Sequence, residues 1–300
     1  MSNNYLLQRL HQIEQLARAG RWERFSYQPL TYASTLLWRN LIYRFQQRAK
    51  LRKTSTFFGT EMKVLLPAGM DIFLLDAKTH DSEIRLSRWL IQNLSVGDTF
   101  VDVGAHFGFF SLLASYLVQS SGQVIAFEAA ISTFKILQDN VRNHSNIIAH
   151  HLAVSDQLGK LIFYEFPVLY SEYNTLKPEQ FKDRKWVRSA KQIEVKSITL
   201  DQFLDTHKYF PNCIKIDVEG AEEKVLRGFE SYLRVHQIKI LVEATLLNIA
   251  RQHSIQHYLE SLGYSLFIIQ SDGKLRSIQS IEDHLYIKNI TSDNFVFQKV

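Results

Sequence analysis

Apolar and polar positions along this chain switch between the period of a strand and the period of a helix. Thr99–Val103 is a short β-branched and aromatic run, read as a buried strand, and Phe109–Val118 is an apolar helical run. Gln123–Phe127 is a second buried strand that ends at Glu128. Ile131–Asn143 sets Phe134, Leu137 and Val141 at helical core spacing, and Ile147–Val154 is a third strand ending at Ser155-Asp156. Gly159–Phe166 and Gln192–Ile198 read as two strands around a polar and aromatic loop, Leu169–Arg188. Downstream come a strand from Cys213, a helix over Glu222–Phe229 and a strand over Lys239–Val242. A helix over Ser254–Leu262 and strands at Ser265–Ile269 and Leu285–Lys288 complete the chain. Upstream, Met62–Leu66 and Asp71–Leu75 read as a hairpin turned by Pro67-Ala-Gly69, followed by a helix over Asp81–Leu94. Glu83 and Arg85 on that helix read as ordinary surface positions. The order predicts an α/β fold: a doubly wound, mostly parallel sheet with an antiparallel edge.

The first residues carry a different pattern. Two helices broken near Pro29 are expected, the second over about Thr31–Leu51. Projected as an α-helix, Leu37, Trp38, Leu41, Ile42 and Phe45 share one side, with Arg39, Asn40, Tyr43, Gln46 and Gln47 on the other. Up to Lys53 there are ten Lys and Arg against Glu14 and Glu23, so the chain's net charge of +5 is concentrated here and the remainder is slightly acidic. A basic amphipathic helix suits an anionic membrane surface, and it also suits an arm packed on the domain or on a second subunit, which is the expectation favoured here. No nucleic-acid module accompanies the charge, so no nucleic acid is expected as a partner.

Composition narrows the class. With 46% hydrophobic residues and 22% charged, the chain has material for a full globular core. The single cysteine, Cys213, leaves no internal disulfide framework or cysteine metal cluster. With no secretory signal pattern and no apolar run long enough for a membrane span, the expected location is the cytoplasm, or peripherally at the membrane.

The chemistry concentrates in two stretches. In the first, Asp102-Val-Gly104-Ala-His106-Phe-Gly108 follows a strand and opens a helix, a glycine turn whose backbone can approach a ligand closely. Its spacing is not the G-x-G-x-x-G of a dinucleotide site, and no G-K-[ST] of a P-loop follows. An acidic residue at the turn suits a ligand with a cationic end. S-adenosylmethionine has an ammonium, a sulfonium and a ribose diol, which Asp102, the turn and Glu128 fit. Asp156 stands where an adenine amino group could be held, and equally where a Ser-Asp turn would put it.

In the second, Cys213-Ile-Lys215-Ile-Asp217-Val-Glu219-Gly220-Ala-Glu222 alternates so that Lys215, Asp217 and Glu219 share one face of a strand end. Buried ionisable groups are costly unless paired or functional. Methyl transfer to an alcohol needs a base, and Asp217 is the candidate, with Lys215 holding the acceptor oxygen or tuning the carboxylate. Glu219 and Glu222 are suited to capping the next helix, and Glu243 adds a carboxylate at the same rim. No ligand spacing for a metal is present, and no metal centre is expected. Tyr173 and Asn174 in the long loop, with Glu219 and Glu243, are the acceptor-side candidates, and a carbohydrate-like acceptor suits them.

The blocks DVGAHFGFFS, AFE, ITLDQFL, IKIDVEGAEEKVLRG and ILVEAT, in this order from Asp102 to Thr245, resemble the FkbM family of S-adenosylmethionine-dependent methyltransferases. The resemblance implies a class I methyltransferase (Rossmann-like) fold and O-methylation of a sugar, glycan or natural-product hydroxyl. It implies that Asp102, Gly104 and Gly108 line the cofactor, that Glu128 holds the ribose, and that Asp217 faces the transfer site. His106 stands where the family has asparagine, and Glu128-Ala129-Ala130 replaces Glu-Pro; His106 could donate to the methionine carboxylate or simply pack. The expected layout is a helical arm over 1–56 and a methyltransferase domain over 57–300. Within the domain, 57–95 is hairpin and helix, 96–156 the cofactor half, 157–200 the acceptor loop and strands, and 201–300 the catalytic half. A non-catalytic cofactor-binding or scaffolding protein of the same fold, and a nicotinamide dehydrogenase, are the alternatives from other classes.

Overall fold

The computed structural model describes residues 2–46 and 48–299. The chain begins with helices Asn3–Arg18, Arg21–Tyr27 and Pro29–Leu37, the last running through a π-helical turn, Trp38–Tyr43, into Arg44–Gln46. Next come β1 (Lys50–Ser55), β2 (Glu61–Leu66) and helices Met70–Leu75 and Asp81–Asn93. The central part holds β3 (Thr99–Val103), helix Phe109–Val118, β4 (Gln123–Phe127), helix Ile131–Val141, β5 (Ile147–His150), β6 (Ala153–Val154), β7 (Gly159–Glu165) and β8 (Lys191–Ile198). After helix Leu200–His207 follow β9 (Cys213–Ile216), β10 (Lys239–Thr245), β11 (Ser265–Ile269), β12 (Leu275–Ser277) and β13 (Ser292–Gln298).

The main sheet has eight strands in the order β12-β11-β13-β10-β9-β3-β4-β5. Its centre, β10-β9-β3-β4-β5, is parallel, and β13, β11 and β12 add an antiparallel edge. This is the doubly wound arrangement expected, with the order reversing between β3 and β9, where such sheets bind ligands at their C-terminal strand ends. The central strands are buried on both faces: Phe100, Val101, Ile125, Ile214 and Ile240 are inaccessible to solvent. That is why they read as continuous apolar runs. A second sheet, β6-β8-β7, flanks the cofactor half.

Three expectations need correction. Asp71–Leu75 is helical, burying Ile72, Leu74 and Leu75, and the partner of Glu61–Leu66 is Lys50–Ser55, paired Lys50↔Leu66 to Ser55↔Glu61. That strand was hidden because its basic residues extended the apparent helix to Leu51. Leu285–Lys288 belongs to a helix, Ile281–Lys288, capped by the Ser280 side chain; the antiparallel strand is Ser292–Gln298. A short apolar run cannot by itself tell helix from strand. Ile147–Val154 is split between the two sheets.

The arm also packs otherwise than projected. The π turn advances its backbone so that residues five apart align, and Trp38 and Tyr43 are buried together, ring centroids 5.5 Å apart. Leu37, Leu41, Ile42 and Phe45 are exposed; Gln47, placed on the polar side, lies outside the described residues. The first helix belongs to the domain's packing. Leu6, Leu10 and Ile13 join the main core, and its buried Glu14 meets Arg88 of helix Asp81–Asn93 at 2.6 Å.

Candidate active site

The C-terminal ends of β3, β4, β9 and β10 open onto a cavity of about 570 Å³, within the range that holds small-molecule ligands. Its floor is the glycine turn. Gly104 (φ +86°) has no room for a side chain, because a Cβ there would lie 1.8 Å from the backbone oxygen of Asp217. This glycine lets the ends of β3 and β9 close on each other. Gly104 lines the cavity and Gly108 does not: a Cβ at Gly108 would meet Leu137 at 2.6 Å, so this glycine serves the packing of helix Phe109–Val118 on helix Ile131–Val141. The cofactor contact expected of Gly108 is therefore replaced by a packing role.

Glu128 lines the cavity from the end of β4. Its Oε2 accepts the backbone N–H of His106 at 2.8 Å, and its Oε1 accepts from Ala130 N and the Thr133 hydroxyl. Burial pushes this carboxyl up to about 7 against the pull of those hydrogen bonds. Asp102 is buried directly beneath, opposite Lys215 in the β3–β9 register. Its Oδ2 accepts from Ser111 at 2.6 Å, while Oδ1 is buried with no hydrogen-bond partner among the described residues. His106 is a bridge: its Nε2 lies 2.9 Å from the Ser171 hydroxyl, tying the glycine turn to the long loop. Burial drives its pKa down to about 3, so the ring is neutral. Asp156 is exposed and does not line the cavity; it accepts from Ser155 in a turn, and Leu152, Ala153 and Val154 line that wall instead.

On the other side stands the ionisable cluster. Lys215 is almost wholly buried and donates to Asp217 Oδ2 at 2.8 Å. Burial works against the charge on Asp217, yet the Lys215 ammonium wins and holds this carboxyl below its ordinary range. Glu219 and Glu243 go the other way: burial, then the neighbouring Asp217 charge, push both well up. The three carboxylates present oxygens all within 4.8 Å of one another. Glu219 does not cap the next helix. It adopts φ +49°, and its carbonyl accepts from Thr175 and Gln180 of the long loop. Glu222 makes the expected local contact, accepting from Gly220 N at 2.8 Å.

The long loop folds as three 3₁₀ turns over the cavity. Tyr170 and Tyr173 stack on Trp186 at 4.8 and 5.4 Å, and Asn174 accepts from Phe166 N while its buried Nδ2 has no partner. Two cations that line the cavity escaped the sequence reading, Arg184 of the long loop and Lys78. Lys78, from the segment before helix Asp81–Asn93, lines the cavity paired with Glu83. Against the cost of burial, Glu83 and Glu172 keep it charged. Nothing in its local pattern distinguishes it; only the fold brings it over the glycine turn. Arg85 instead ties its helix to Asp293.

A model of the "Methyltransferase FkbM domain" matches residues 102–266, more than half of the chain. Among characterised relatives, "Methyltransferase 1" of Beauveria bassiana is 30% identical over 148 residues, 44% of this chain and 59% of that protein. The hexuronic acid methyltransferase AglP of Haloferax volcanii is 26% identical over 149 residues, 49% of this chain and 56% of that protein. The matches thus span less than two thirds of either relative. Among solved structures, methyltransferase FkbM from Methylobacillus flagellatus superposes with a TM-score of 0.43 at 15% identity, covering 67% of this chain and 43% of that one. A SAM-dependent O-methyltransferase from Thermotoga maritima gives 0.41 at 12% identity, covering 83% and 78%. The buried, unpartnered Asp102 Oδ1 and the Glu128 carboxylate beside the glycine turn fit S-adenosylmethionine, the methyl donor of such enzymes. The glycine turn, the acidic end of β4 and the long sequence match converge on one conclusion: the chain belongs to the FkbM family of methyltransferases.

Proposed function

We propose that this methyltransferase acts on oxygen, methylating a hydroxyl of a sugar, glycan or natural product. The observation that carries the reading is the cluster of Asp217, Glu219 and Glu243 oxygens within 4.8 Å, with Lys215 bound to Asp217, at the wall of the cavity facing the glycine turn. Alcohol acceptors are weak acids and need a proton acceptor in the transition state, which an already ionised carboxylate does not. The aromatic wall of Tyr170, Tyr173 and Trp186 suits the apolar face of a sugar ring, and the unpartnered Asn174 Nδ2 is a donor for one of its hydroxyls. The 26% identity to a hexuronic acid methyltransferase supports a carbohydrate acceptor.

When bound, S-adenosylmethionine supplies an electrophilic methyl group on its sulfonium. The ribose hydroxyls would donate to Glu128, whose Oε2 also fixes the turn through His106 N. Asp102, which lines a small pocket beside the cavity together with Gly104 and Lys78, would meet the methionyl ammonium through its Oδ1, and Lys78 the methionyl carboxylate. Lys215 keeps Asp217 ionised, so Asp217 accepts a hydrogen bond from the acceptor hydroxyl and orients it. Glu243 is in hydrogen-bond contact with Asp217, and burial with the Asp217 charge raises its carboxyl, so in that contact Glu243 holds the proton and donates, and Asp217 is left as the carboxylate that takes the hydroxyl proton. The two carboxylates titrate as a unit, and positioning of acceptor against donor supplies much of the remaining rate.

The test is calorimetry with S-adenosylhomocysteine, followed by acceptor screening with uronic acids and oligosaccharides. Asp217→Asn should keep S-adenosylhomocysteine affinity while turnover falls about 10²–10⁴-fold, and Glu243→Ala, which removes the hydrogen bond to Asp217, should keep the affinity and lower turnover less. Folded wild type that binds no S-adenosylhomocysteine would remove the enzymatic reading, and full activity of both variants would remove the assigned roles.

A further inference from the structure

The arm turns one side to the domain and leaves the other uncovered. Trp38 and Tyr43 are inside, in the core that includes Leu169 of the acceptor loop. On the outside, Trp22 is 84% exposed, Leu30 86% and Phe45 80%, with Leu37 and Leu41 at 59% each. Leu37, Leu41 and Phe45 are all exposed along the one segment that runs through the π turn. The aromatic contacts Trp22–Phe25 and Phe25–Tyr32, at 6.3 and 6.4 Å, join the Arg21–Tyr27 helix to the Pro29–Leu37 helix. Apolar residues scattered singly are ordinary on a surface, but Trp22, Leu30, Leu37, Leu41 and Phe45, each more than half exposed, are concentrated in one arm.

The charge around the set selects the partner. Between residues 21 and 53 the sequence has eight Lys and Arg and a single acid, Glu23. Arg39, Arg44 and Arg48 stand exposed along the segment that carries Leu37, Leu41 and Phe45. A twofold interface with a second copy would set this basic surface against itself. An anionic bilayer takes the apolar side chains below its headgroups and the arginines at its phosphates. Among the described residues no helix is long and apolar enough to cross a membrane, so the contact is one of lying on the surface.

We propose that the arm docks this methyltransferase on an anionic membrane surface, with Trp22, Leu30, Leu37, Leu41 and Phe45 entering the interface and Arg39, Arg44 and Arg48 meeting lipid phosphates. The buried side of the arm packs by Leu169, one residue from Tyr170 on the cavity wall, so docking holds the acceptor loop close to the bilayer. This inference is independent of the acceptor's identity.

The experiment is flotation of the whole protein with vesicles of phosphatidylcholine alone or with about one third phosphatidylglycerol. Wild type should float only with the anionic vesicles, lose binding at high salt, and show a blue-shifted tryptophan emission from Trp22. Leu41→Glu with Phe45→Glu should lower the bound fraction roughly tenfold or more, as should Arg39→Gln with Arg48→Gln, each with S-adenosylhomocysteine affinity unchanged as the control for folding. If the glutamate pair misfolds, Trp22→Ser with Leu30→Ser replaces it. Wild type that stays soluble with anionic vesicles, or variants that float like wild type, would overturn the proposal. So would a dimer in light scattering that the glutamate pair dissociates while vesicles bind neither form; the arm would then be a subunit interface.

Discussion

Lys215→Met isolates the electrostatics of the site. Lys215 is 3% exposed, donates to Asp217 at 2.8 Å, and is the nearest cation to the buried Asp102. Methionine keeps most of the stem and removes the ammonium, with its hydrogen bond to Asp217 and its place over the Phe110 ring. Breaking a buried pair by removing one partner costs about 3–5 kcal/mol; the Asp217 side chain retains 29% exposure, which discounts the expected loss to roughly 2–3 kcal/mol at neutral pH. The sign of the pH dependence follows from the two carboxyls. With Lys215 present, Asp217 has a folded pKa below its unfolded value, so its contribution is present above that unfolded value and is lost only as pH falls through the lower one. Without Lys215, burial raises Asp217 against the smaller pull of Lys78 and of the Glu243 hydrogen bond, and Asp102, already raised by burial, goes higher. The variant's deficit therefore opens above about pH 4, where unfolded carboxyls ionise, and reaches its full size by about pH 8. Urea unfolding at about pH 5, 6.5 and 8 measures it. A deficit under about 0.5 kcal/mol, or one that is equal at all three pH values, would refute the account of Lys215 as the counter-ion of the site.

Two further outcomes follow from the same geometry. Glu128 is raised to about 7 by burial, and ribose hydroxyls favour its ionised form, so S-adenosylhomocysteine affinity should rise as pH increases from about 6 to 8. Glu128→Gln should flatten that profile and weaken binding about tenfold or more; a wild-type profile that is already flat would separate Glu128 from the ribose. Chelation provides the other. The Lys215 ammonium already neutralises one member of the carboxylate cluster, so activity should survive excess EDTA; loss of activity restored by magnesium would make Asp217, Glu219 and Glu243 a metal site.

Much of the scaffold was legible because the central strands are buried on both faces. Thr99–Val103, Gln123–Phe127 and the helix Phe109–Val118 stand where their apolar runs put them, because length separates the 5-residue strands from the 10-residue helix where periodicity does not. The misreadings fall where burial is one-sided or where a neighbour decides. Lys50–Ser55 alternates half-buried and exposed with basic side chains, and only its pairing with Glu61–Leu66 makes it a strand. The arm's faces depend on a π turn, which a projection at the α-helical period inverts.

The site divides along the same line. Asp102, Gly104, Glu128, Lys215 and Asp217 sit at strand ends, where chain order alone fixes position relative to the sheet, and the fold assembles them. Residues that reach the cavity through loops were harder to read. Asp156 looked equivalent to Glu128 because each ends a strand, but Ala153–Val154 belongs to the second sheet, whose direction carries the next residues outward. Lys78 was missed for the converse reason: it precedes a helix that packs elsewhere, and the cavity takes it in through the approach of that segment to the acceptor loop at Glu172. Glu243 links the two cases. It lies one position past Val242, which is paired with Ile216, so the parallel register alone sets it beside Asp217. Its raised pKa, however, comes from burial that no strand pattern discloses. A sequence can place a carboxylate at the rim of a sheet; whether it stays ionised to take a hydroxyl's proton is decided by the cation paired with it, and here Lys215 is paired with Asp217.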